Sequence, residues 1–194
     1  MRIERMTAFT DGVVAIIITI MVLELKIPAS GDPRALLATA PILAAYVLSY
    51  INVGLFWNNH HHLLSLAKHI DGRVLWANLF LLFWMSLIPF VIRWIDEAGF
   101  AAGPVASYGL VLGMSAVGYR LLQHSIIRVN GGPESDLAHA VGHDLKGRLS
   151  LIGYMLGIPL AFIEPLAAIG VYVAIAMVWL VPDQRIERRL AETR

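Results

Sequence analysis

The sequence predicts an all-α, polytopic membrane protein with six transmembrane helices and both termini in the cytoplasm. Three observations predict it. The 194 residues are 58% hydrophobic and only 15% charged, with a mean hydropathy of +0.68, far more apolar than a soluble domain of this length. Six apolar runs are long enough to be read against the roughly 20 residues that a bilayer core of about 30 Å requires. Basic residues are divided unevenly between the connections, and that bias sets the direction of insertion.

The first run, Arg5 to Ile27, is too long for a signal-peptide core and has no small-residue cleavage site, so it reads as a helix that stays in the protein. The second runs from Arg34 to Leu64, the third from Arg73 to Ile95 and the fourth from Pro104 to Ile127. The fifth, Leu149 to Ile163, is short and meets the sixth, Pro165 to Val181, through "IEP". Proline lacks an N–H and disfavours helix in the residue before it, so this pair reads as a tight hairpin rather than one kinked element. With the N-terminus inside, twelve Lys and Arg residues fall on the inner side, and Lys26, Arg34 and Arg93 on the outer. The polar connection of about residues 129–148 and the charged tail of about 182–194 are then cytoplasmic, the tail lying against the anionic inner leaflet. The whole chain, 1–194, reads as one transmembrane domain.

Fifteen basic against fourteen acidic residues leave a formal charge of +1. There is no basic field of the kind that nucleic acid requires. The chain has no cysteine, which removes thiolate metal sites and cysteine nucleophiles. Of the seven histidines, His60, His61 and His62 are consecutive and fan around a helix; only His139 and His143 have ligand-like spacing, in the polar connection, where they read as solvated. No metal site, cofactor or enzymatic centre is expected.

The first helix, "FTDGVVAIIITIMVLEL", carries the argument for function. At about 100° per residue, Ile16, Ile20 and Leu23 fall at 0°, about 40° and about −20°, a narrow apolar stripe bordered by Thr19 at about −60°. Thr10 and Asp11 point away from it. A carboxylate in hydrocarbon costs about 2.5–3.5 kcal/mol, so Asp11 is expected to face partners rather than lipid, unless it snorkels to water. At the same level the second helix offers Asn58, Asn59, His60, His61 and His62, and the third offers Arg73, Trp76 and Asn78. The expectation is an inter-helix hydrogen-bond cluster that holds the first helix by its inner end. Glu24, about 80° off the stripe, reads as a headgroup-level residue. Trp57, Trp76, Trp94 and Trp179 read as interfacial anchors and Trp84 as packing. Gly109, Gly113 and Gly118 give the fourth helix small faces for close packing.

"RMTAFTD", Arg5 to Asp11, resembles the R-x-x-x-F-S-D motif that opens the bacterial branch of the transmembrane protein 175 family of potassium channels, with Thr10 in place of the usual serine. "SYINVGLFWNNHHHLL" and "LWANLFLLFWMSLIPF" are similar to that family's second- and third-helix patterns. The resemblance places Arg5, Phe9, Thr10 and Asp11 in the motif. It implies a homotetrameric cation channel in the plasma membrane of a prokaryote, lined by the first helix of each subunit. It also implies a constriction at Ile16, with Ile20 and Leu23 further outward and Thr19 as a hydroxyl layer. K⁺ is then the permeant ion. No "TVGYG" filter is present, so selectivity is expected to be modest. The rival expectation is a proton-coupled secondary transporter using Asp11 and the His cluster as a relay.

Overall fold

The computed structural model describes residues 3–28, 31–142 and 144–180. Among these, the elements are all helical. They are α1 (Ile3–Leu23), α2 (Ala35–Ala38), α3 (Ala40–Ser65), α4 (Gly72–Ser86), α5 (Ile88–Glu97), α6 (Ala102–Val129), a 3₁₀ turn (Gly132–Glu134), α7 (Asp136–Val141), α8 (Leu145–Ala161) and α9 (Pro165–Leu180). Four stretches are long and apolar enough to cross a membrane: Ile3–Leu23, Ala40–Ser65, Gly72–Glu97 and Ala102–Val129. The last two helices are shorter, at 17 and 16 residues. The expected tail of 182–194 lies outside the described residues.

Two expected helices are interrupted, each at a proline. The second begins as the four-residue α2, and α3 restarts with Pro41 in its first turn. The third divides at Leu87, with Pro89 opening α5. A proline ring has no N–H to donate to the carbonyl four residues back and collides with it, so the ladder breaks at both places. The 162–164 segment forms a turn between α8 and α9, giving the hairpin that the proline at 165 calls for. The polar connection is more structured than its composition suggests. It holds the 3₁₀ turn, α7 and the first turn of α8, and Asp144 caps α8 by accepting from Gly147 N–H at 2.9 Å.

Helix α6 is the hub. It packs on α4 through Gly118, where an added Cβ would lie 2.8 Å from Leu81 Cα. The buried Tyr172 ring of α9 lies against Gly109 of α6 and Gly157 of α8, spaces that a Cβ would fill. The small faces expected of the fourth helix are therefore what let three helices approach it. Leu81, Leu112, Leu122, Ile126 and Tyr172 are fully buried there. At the far end of α6, Asn130 accepts from the N–H groups of Lys68 and His69 at 2.7 and 2.9 Å and donates to His69 O at 2.9 Å. That joins the polar connection to the α3–α4 turn, while Asp71 caps α4 by accepting from Val74 N–H at 2.9 Å.

Candidate functional site

Helix α1 has two unlike faces. Met6, Thr10, Val14, Ile17 and Met21 are buried against α3, α4 and α5. Their four-, four-, three- and four-residue steps make one seam along a helix. On the opposite side Ile16, Ile20 and Leu23 are 58, 41 and 80% exposed. Thr19 is exposed beside them and donates its hydroxyl to Ile16 O at 2.9 Å. Phe9, also exposed, continues this side toward the N-terminus. The stripe and the packed seam are thus carried by one unbroken helix. Between α1 and α5 runs a groove of about 710 Å³ with Ile16, Ile20 and Glu24 on one wall and Phe90, Arg93 and Trp94 on the other.

The seam is fixed near the N-terminal end of α1 by three buried polar side chains. His60 Nε2 donates to Asn78 Oδ1 at 2.9 Å, since a carboxamide oxygen can only accept. Asn78 Nδ2 then donates to Thr10 Oγ1 at 2.9 Å. Thr10, Asn78 and His60 are each at most 2% exposed, so the chain runs from α3 through α4 to α1 away from water. Buried polar atoms must be paired, and this arrangement pairs them across three helices.

Asp11 is held separately. Its exposed carboxylate accepts from Trp57 Nε1 at 2.8 Å, and the Trp57 ring stacks on His61 with centroids 6.0 Å apart. Trp57 is the residue that sequence reasoning missed, because a tryptophan near a helix end fits the anchor reading equally well. The other expected members lie outside both sets. Arg5 and Asn58 are exposed. Among the described residues Asn59 takes part only through its carbonyl, which accepts from Tyr119 OH at 3.1 Å. His62 meets the His61 ring edge-on, and Trp76 is 75% exposed. No group of three or more potential metal ligands occurs among the described residues. His143 lies outside them.

The opposite end of α1 is tied by charge. Glu24 pairs with Arg93 at 3.0 Å, Arg93 also holds Glu97 at 3.0 Å, and Lys26 pairs with Asp96 at 2.9 Å. The headgroup reading of Glu24 is therefore incomplete. Its partner lies 69 residues away on α5, a pairing that no local spacing reveals.

Comparison with known proteins agrees with this architecture. The family model described as "Endosomal/lysosomal potassium channel TMEM175" matches residues 5–89. A potassium channel of Chryseobacterium sp. (strain P1-3) is 50% identical over 188 residues, covering 97% of each chain. A potassium channel of Streptomyces collinus is 31% identical over 172 residues, covering 82% of each. The crystal structure of a lysosomal potassium-selective channel TMEM175 homolog from Chamaesiphon minutus superposes with a TM-score of 0.78 at 25% identity, over 92% of this chain and 96% of that one. With relatives this similar over almost its full length, the chain belongs to the bacterial branch of the TMEM175 family.

Proposed function

We propose that this protein is a potassium-preferring cation channel, assembled as a homotetramer in the plasma membrane of a prokaryote with both termini inside. Its relatives' names as potassium channels support the ion. The single observation that carries the mechanism is the exposed apolar row on α1, opposite a face that is hydrogen-bonded into its own subunit. Four such rows around an axis give a ring of Ile16 side chains, with Ile20 and Leu23 at wider levels outward and Thr19 hydroxyls beside the narrowest point. A ring of this kind closes by dewetting. Open, it requires an ion to shed part of its hydration, which costs potassium less than the smaller sodium ion. No carbonyl cage assists, because the backbone of α1 is bonded within the helix, so discrimination is moderate. The Thr10–Asn78–His60 chain and the Asp11–Trp57 bond hold each α1 at the rotation that keeps the row on the axis. The carrier alternative is weaker, because α1 runs unbroken from Ile3 to Leu23.

Purified protein in a planar bilayer should give discrete current steps and a reversal potential biased toward K⁺ over Na⁺. Ile16→Asn should enlarge the current and reduce that bias. Saturable transport without unitary steps refutes the channel, and an unchanged ion ratio in Ile16→Asn removes Ile16 from the narrow point.

A further inference from the structure

A second polar site lies far from the α1 row, in a cleft of about 600 Å³ between α6 and α8. Arg120 of α6 and Arg148 of α8 both line it, with Gln123 on its wall and Ile127 and Leu145 as apolar lining. Arg120 is half-buried and Arg148 exposed, and neither guanidinium makes an ion pair among the described residues. Gln123 is only 6% exposed. Its amide makes no hydrogen bond among the described residues and lines the cleft, where it is available to a ligand. Asp144 is the one acidic wall residue, and its carboxylate is engaged in capping α8 through Gly147 N–H at 2.9 Å. His124 is turned away from duty as a donor here, since its Nδ1–H is given to Arg120 O at 2.8 Å.

The depth of the cleft selects the ligand. Helix α6 has 28 residues, about 42 Å at 1.5 Å per residue, against a hydrocarbon core of about 30 Å. Counting roughly 20 residues from Ala102 reaches the level of Arg120, where the polar headgroups of the inner leaflet begin. Two guanidinium forks and a carboxamide match the oxygens of a phosphate ester, and basic clefts between helices at this level take anionic lipid headgroups.

We propose that the α6–α8 cleft binds a phosphate-ester anion, supplied by the headgroup of an anionic phospholipid in the cytoplasmic leaflet. Arg120 and Arg148 carry its charge and Gln123 donates to it. This rests on the membrane orientation given above, and binding is read without ion flux, so its failure and that of the channel reading are distinguishable.

The test is thermal unfolding of the purified full-length protein with added dihexanoyl-phosphatidylglycerol, dihexanoyl-phosphatidylcholine or glycerol 3-phosphate. Phosphatidylglycerol at a hundredfold excess over its Kd should raise Tm by roughly 5 °C or more. Phosphatidylcholine, whose trimethylammonium cancels the phosphate charge, should not. Arg148→Gln, at an exposed position without contacts that folding needs, should weaken the phosphatidylglycerol effect at least tenfold, and Arg148→Lys should restore part of it. Equal stabilisation by glycerol 3-phosphate assigns the phosphate ester to a soluble source and overturns the lipid one. Unchanged binding in Arg148→Gln, or an equal response to phosphatidylcholine, overturns the site.

Discussion

Replacing Asn78 with leucine keeps the number and branching of side-chain heavy atoms at the α1–α3–α4 junction and deletes the hydrogen bonding. In the native protein the Asn78 carboxamide accepts from His60 and donates to Thr10, both at 2.9 Å and both with buried partners. The leucine orphans His60 Nε2–H and removes the donor to Thr10 Oγ1. An orphaned buried polar group costs about 1–3 kcal/mol, whereas inter-helix hydrogen bonds in membrane proteins average about 0.6 kcal/mol each. Two lost bonds at the membrane average come to about 1.2 kcal/mol and one fully orphaned donor to as much as about 3 kcal/mol, which brackets the loss at about 2 kcal/mol. For a chain of this size each 1 kcal/mol moves Tm by about 2–4 °C, so Asn78→Leu should lower Tm by about 4–8 °C. The assay is size-exclusion chromatography of detergent-solubilised protein after graded heating. Thr10→Val removes one bond only and should lower Tm by about half as much. The double variant should fall short of the sum by about 0.5–1 kcal/mol, because the two residues share a bond. A Tm for Asn78→Leu within about 1 °C of wild type, or a Thr10→Val effect larger than that of Asn78→Leu, refutes Asn78 as the connecting residue.

Trp57→Phe retains the ring against His61 and loses only the 2.8 Å bond to Asp11; it should cost about 1 kcal/mol, and Asp11→Asn, which keeps an acceptor, should cost less in the same melts. Gly118→Ala brings a Cβ to 2.8 Å from Leu81 Cα, forcing α4 and α6 apart at about 1–3 kcal/mol; an unaltered melting curve contradicts that close crossing.

Much of this architecture was legible in the sequence. The apolar runs locate the long helices, because bilayer thickness fixes their length, and the spacing of Ile16, Ile20 and Leu23 puts them on one side of α1, where they are exposed together. The breaks at Pro41 and Pro89 were less visible, since hydropathy continues through both prolines while the hydrogen-bond ladder does not. Thr10 and Asp11 both point away from the Ile16 row, but neighbouring residues differ by about 100°. Which of them enters the interior depends on the rotation set by Met6, Val14, Ile17 and Met21, and the structure buries Thr10 and leaves Asp11 at the surface. The Glu24–Arg93 pair and the α6–α8 cleft both join residues distant in the chain, and tertiary packing alone brings them together.

The break at Leu87 has a mechanical meaning. Helix α4 holds α1 near one end through Asn78, and α5 holds it at the other through Arg93 and Asp96. The two grips thus belong to successive helices, α4 and α5, rather than to one. Added salt screens the Glu24–Arg93 and Lys26–Asp96 pairs, whose basic partners are exposed, but not the buried Asn78–Thr10 bond, so high ionic strength should loosen the Leu23 end of α1 and leave its Thr10 end held.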